Sequence, residues 1–169
     1  AARVGCAVSA INSEAFDWAL PIVNGMVTSS AGWAQALADV AAAVAAEKGV
    51  TPPAAGQATE VAQAIAKSLL GGERKAILLG NAAAHHGKAS SLLALANWIG
   101  KQTGASVGYL TEAANTVGAQ VANAQPGTGG KHAGDMLAGG LKALLLLNTE
   151  PLFDAAGGAT SARSAGQSQ

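Results

Sequence analysis

The sequence predicts an α/β protein with a mainly parallel sheet, and three observations carry that expectation. Short apolar runs alternate along the chain with stretches of helical period. The run Ala76-Ile77-Leu78-Leu79 is unbroken and ends at Gly80-Asn81, as in a strand covered on both faces. From Ala89 onward, Leu92, Leu93, Ala96 and Ile99 share one helical stripe that Gly104 stops. Strand, turn and covering helix make half of a parallel βαβ unit, whose crossover is right-handed.

The other elements follow in chain order. Residues 3–11, RVGCAVSAI, form a first strand, closed by a turn at Asn12-Ser13. Asn24-Gly25 marks a turn before a very short strand, Met26-Val27-Thr28, and either Ser29 or Ser30 can cap the helix that follows. That helix places Trp33, Leu37, Val40, Ala41 and Val44 on one side and leaves at Gly49. Thr51-Pro52-Pro53 forces an extended connector. A second helix, about 57–70, buries Val61, Ile65 and Leu69 and ends at Gly71-Gly72.

Beyond Gly104, residues 106–110 form a strand, and Ala113, Val117 and Val121 recur at helical spacing. Residues 125–131, QPGTGGK, are a glycine-rich loop expected to be mobile. A short helix with Met136 and Leu137 leads into residues 143–147, ALLLL, a second candidate for a central strand, which Glu150-Pro151 breaks. One domain is expected over residues 1–154. The tail, 155–169, has no large apolar residue and is expected to be disordered. The finer expectation is a Rossmann-like, doubly wound sheet with helices on both faces.

Half of the 169 residues are hydrophobic, enough for a substantial core, while only 12% are charged and 4% aromatic. Soluble proteins carry roughly a quarter charged residues, so part of this surface is expected to be covered in a larger protein. Ala1 in place of an initiator Met, with a strand almost at once, points the same way. The net charge is zero with scattered basic residues, which argues against a nucleic-acid partner. The longest strongly apolar run, 143–147, falls far short of the ~20 residues that span a bilayer, so no direct membrane insertion is expected. Cys6 is the single cysteine, which excludes an internal disulfide and multi-thiolate metal sites; it is expected to be a buried filler.

Candidate sites are sparse. His85-His86 lie in the turn after the 76–79 strand, where open parallel sheets place their ligand crevice. They read as pocket-lining or packing residues or as solvated turn residues; adjacent histidines point apart and are poor metal ligands, and His132 is remote. The 127–131 loop is not a phosphate loop, because that pattern needs glycine at Gln125 and a hydroxyl at His132. No G-x-G-x-x-G follows any strand, and no nucleophile and base stand paired. Asp17, Asp39, Glu47 and Asp135 read as solvated charges. Glu112, near Asn115, and Glu150 follow strand ends, where they either line a pocket or face water.

Residues 77–127, ILLGNAAAHHGKASSLLALANWIGKQTGASVGYLTEAANTVGAQVANAQPG, with KALLLLNTEPLFD at 142–154, resemble the molybdopterin oxidoreductase superfamily. More narrowly, they are similar to the large iron-sulfur subunits of bacterial NADH-quinone oxidoreductase, respiratory complex I. The resemblance spans about 8–154, and its most specific parts are EAANTVGA, 112–119, and LLLLNTEP, 144–151. It implies central α/β domains that flank a molybdenum-pterin cofactor in the true enzymes.

Three loops depart from the enzyme pattern. Asn12-Ser13-Glu14 stands where these enzymes often carry Asp-Pro-Arg for the cofactor's guanosine, and the charge reversal removes complementarity to an anionic nucleotide. Ala82 replaces a glycine that lets backbone approach the cofactor. Thr111 and Ala113 stand where formate-oxidising members carry an active-centre arginine and glutamine. The resemblance therefore implies a vacated crevice, bounded by Asn12, Asn81, His85, His86, Glu112, Asn115 and Glu150, with no catalytic residue, metal or cofactor of its own. Iron-sulfur clusters and NAD are implied only for the parent complex.

The expected role is a scaffold. It would hold the rest of the same subunit and other peripheral-arm subunits in register on the cytoplasmic side of the inner membrane, while NADH oxidation, electron transport and quinone reduction occur elsewhere. That expectation requires the segments beginning at Ala76 and Ala143 to run side by side in one layer. Its rivals are a domain of an active molybdopterin oxidoreductase and a small-ligand module at Asn81, His85 and Glu150.

Overall fold

Strands form where a short apolar or β-branched run meets a neighbouring edge, and in this chain they form in pairs. The computed structural model describes residues 5–113 and 115–154 and divides into two units, Ala1–Glu112 and Ala113–Gln169. In the first unit, β1 (Ser9–Asn12) pairs in parallel with β2 (Asn24–Val27), Ser9 opposite Asn24 and Asn12 opposite Val27. Likewise β3 (Ala76–Leu79) pairs in parallel with β4 (Ser106–Tyr109), Ala76 opposite Ser106 and Leu79 opposite Tyr109. The mixed α/β class and its parallel pairing are thus observed as two separate two-stranded sheets. Asn24-Gly25, expected as a turn, belongs to β2 itself. Arg3 and Val4, expected in the first strand, lie outside the described residues.

After a 3-10 turn at Ser30–Gly32, α1 (Trp33–Lys48) runs through eight alanines, the best helix former. It closes as expected on Gly49, whose φ of +66° is the left-handed value that glycine adopts without strain. Neither Ser29 nor Ser30 caps it through a side chain. The connector that follows is fastened to the helix: Gln57 N–H donates to Asp39 Oδ1 at 2.8 Å. Gly56 lies so close that a Cβ there would collide with the Ala38 carbonyl.

Helix α2 (Glu60–Gly71) starts on Thr59, whose hydroxyl accepts from Ala62 N–H at 3.2 Å. It buries Ala62, Ile65 and Ala66, and Val61 is instead 36% exposed. Ile65 is buried and Leu69 packs against the core as expected, while Ala62 and Ala66 widen the buried face on the side away from Val61, because alanine lets α2 approach α1 closely. A four-residue helix, α3 (Asn81–Ala84), precedes α4 (Ala89–Thr103), which buries Leu92, Leu95, Ala96 and Ile99 and closes on Gly104 at φ +77°. Leu92 and Ile99 are almost fully buried, each stabilising by roughly 2 kcal/mol relative to exposure.

The three long helices, α1, α2 and α4, share one apolar cluster, against which Ile11, Met26 and Ile77 pack from the strands. Strand side chains alternate, so Val27 and Leu78 point the other way and are 61% and 55% exposed. The 76–79 strand is therefore covered on one face. Helices on both faces are not observed among the described residues of this unit. Cys6, expected as a buried filler, is exposed.

Among the described residues of the second unit are three short helices, α5 (Thr116–Val121), α6 (Ala133–Leu137) and α7 (Pro151–Asp154). Val117 and Val121, expected on a packed stripe, are exposed. Residues 143–147 form no strand, and Leu145 is 93% exposed. An apolar run lacks the ladder partners that make it a strand until another edge accepts its backbone groups. The strand expected to begin at Ala143 is thus not formed. The tail expected to be disordered, 155–169, lies outside the described residues.

Candidate functional site

Parallel strands deliver the residues that follow them to one rim, and here β3 and β4 do so for Asn81 and Glu112. Asn81 Nδ2 donates to Glu112 Oε2 at 2.7 Å. His85, just past α3, brings Nε2 to 3.7 Å from Glu112 Oε1, with both side chains more than half exposed. Three of the sequence-predicted residues thus meet at one place. His86 takes another role: its Nδ1 accepts from Lys88 N–H at 3.0 Å, and its ring lies 5.7 Å from that of Trp33. The two histidines do point apart.

Asn12 ends β1, where its carbonyl accepts from Thr28 N–H at 2.9 Å. Asn115 and Glu150 belong to the second unit. Asn115 stands before α5 without a side-chain cap, and Glu150 N–H donates to Asp154 Oδ2 at 2.7 Å. His132, just after the glycine-rich loop, caps α6 through Nδ1 and lies 3.1 Å from Asp135 through Nε2.

An open cavity of about 280 Å³ lies in the first unit, lined by β1, β3 and residues of α1, α2 and α4. Of the predicted site residues only Asn12 lines it. Trp33 lines it too, and its Nε1 is buried without a hydrogen-bond partner among the described residues. By periodicity Trp33 falls merely on the packed side of α1; an indole N–H that must be satisfied when buried was the available signal.

Chemically, the rim cluster presents a carboxylate, an amide and an imidazole to water. Glu112 puts negative charge where a nucleotide-binding site would offer amides or cations to phosphate. Among the described residues no three His, Cys, Asp or Glu side chains are grouped to hold a metal ion. No helix among the described residues is long and apolar enough to cross a membrane.

No known relative emerges. Neither a protein-family model, nor a curated protein, nor a solved structure matches the chain. The rim and the cavity therefore stand on their own chemistry.

Proposed function

We propose that this chain is a scaffold region of the large iron-sulfur subunit of a bacterial NADH-quinone oxidoreductase, without a redox centre of its own. One observation carries the proposal: segment 112–119, which resembles that family, opens with Glu112, and Asn81 ties its carboxylate at the strand-end rim. A rim occupied by its own hydrogen-bonded acid is suited to holding loops together, and poorly suited to an anionic pterin nucleotide.

Exposed apolar surface adds support. Val27 and Leu78 on the uncovered strand face, with Leu145, Leu147 and Phe153 in the second unit, are the kind of surface a larger assembly covers. The doubly wound, Rossmann-like architecture belongs to the same proposal, its second helical layer coming from the rest of the subunit. The strand at 143–147 that this reading requires is not formed, which counts directly against it; what supports the reading is the 112–119 segment and the rim. For the ligand-module alternative, Asn81 and His85 do not line the cavity of the first unit, while Glu150 lines a separate open cleft in the second unit.

Affinity capture of the tagged chain from detergent-solubilised membranes of its own source is the test. Enrichment of NADH-oxidising activity with the chain is expected. Capture without that activity, or stoichiometric molybdenum or pterin on the purified chain, would sink the proposal.

A further inference from the structure

The cavity of the first unit, about 280 Å³, has no part in the scaffold reading. Its size, its charge and one unanswered donor define what it can hold. Voids in a close-packed interior are few and seldom larger than a water molecule. An apolar cavity of about 150 Å³ accepts benzene, so this space has room for a molecule of about ten non-hydrogen atoms.

Among the described residues that line it there is no Asp, Glu, Lys, Arg or His. An ionised ligand would leave water without a counter-charge to receive it, which is strongly unfavourable. The helical floor offers Leu37, Val40, Ile65 and Leu92, so part of the occupant is apolar. Trp33 supplies the polar requirement: its Nε1 is buried and has no hydrogen-bond partner among the described residues. An indole N–H only donates, so only an acceptor satisfies it. Ser9 on the same lining is already engaged, its hydroxyl accepting from Asn24 Nδ2 at 3.1 Å.

We propose that this cavity binds a neutral small molecule with a compact apolar body and a carbonyl-type acceptor. The acceptor oxygen takes the Trp33 indole N–H, and the body rests on Leu37, Val40, Ile65 and Leu92. A nucleotide is both too large and charged. A lone water answers the indole but leaves the apolar floor uncovered. The site is separate from the rim at Asn81 and Glu112, and the inference does not depend on the family proposed above.

The test uses the whole chain, isotopically labelled, and three probes of nearly one shape. Acetophenone carries the carbonyl, α-methylstyrene has a methylene in place of its oxygen, and benzoate carries a charge. At about 5 mM acetophenone, a level suited to a ligand of so few atoms, the methyl resonances of Leu37, Val40, Ile65 and Leu92 are expected to shift through the probe's ring current, and the Trp33 indole proton to move downfield. The hydrocarbon, which lacks the acceptor, is expected to bind about fivefold more weakly, and benzoate about tenfold or more. In Trp33→Phe the two neutral probes are expected to bind alike. Floor methyls that acetophenone leaves unmoved, or α-methylstyrene or benzoate binding as tightly as the ketone, overturn the proposal. So does a preference for the ketone that survives in Trp33→Phe; should that variant fail to fold, the three probes on the unsubstituted chain decide.

Discussion

Asp39 Oδ1 accepts the backbone N–H of Gln57 at 2.8 Å and the side-chain amide of Gln35 at 2.9 Å, binding the proline-rich connector to α1. A residue with the look of an ordinary solvated charge is a fastener. Replacing Asp39→Ala is expected to destabilise the chain by about 1 kcal/mol, whereas Asp39→Asn, which keeps the acceptor oxygen, loses less. Urea unfolding of the two variants beside the unsubstituted protein measures the difference.

Glycines of similar appearance should separate sharply. A Cβ at Gly100 would stand 2.6 Å from Val107 Cγ2 and 2.9 Å from the Ala105 carbonyl oxygen, where α4 passes β4. Gly100→Ala should therefore cost roughly 1–3 kcal/mol. Gly71, the last residue of α2, has open space around its Cβ position, and Gly71→Ala is expected to be neutral or to stabilise by up to about 1 kcal/mol. Thermal melts of both variants check the contrast; equal losses would contradict the close approach at Gly100.

Thr59 begins α2 by accepting from Ala62 N–H. Thr59→Ala should cost about 1 kcal/mol, and Thr59→Ser should retain most of that stability. Chemical denaturation read by far-ultraviolet circular dichroism follows it directly.

Cys6 is exposed. It should react stoichiometrically with an aromatic disulfide reagent under native conditions, as fast as it does in denaturant. A thiol that reacts only after unfolding would place it inside.

The rim pair Asn81 and Glu112 is exposed, so Glu112→Ala should change stability by only about 0.5 kcal/mol. In an assembled oxidoreductase, that substitution is expected to leave turnover unchanged, because no catalysis is assigned to the rim. A steady-state assay that loses most of its activity would move Glu112 into the chemistry.

Local signals in the sequence were sufficient where local physics decides. Gly49 and Gly104 end their helices at positive φ, and Leu92, Ala96 and Ile99 are buried at the predicted spacing. Non-local partners were not visible. Asn24-Gly25 looks like a turn until β1 offers it an edge, and Asp39 looks solvated until a backbone amide eighteen positions away reaches it. Val61 lost its expected burial to Ala62, because the close contact with α1 selects for smallness over hydrophobicity. Residues 143–147 have strand composition but pair with no strand. At the rim, Asn81 and Glu112 follow β3 and β4 as the sequence suggested, while His85 lies beyond the unforeseen helix α3, and the place of Trp33 on the cavity lining depends on tertiary packing that periodicity does not encode.

Helix α1 buries residues over well more than half its circumference, from Ala36, Val40 and Ala43 through Val44 to Ala41, Ala45 and Ala38. With α2 and α4 both packed against that arc, any slide or rotation of α1 would have to repack a neighbouring helix at the same time, which makes the three a mechanical unit in which none shifts alone.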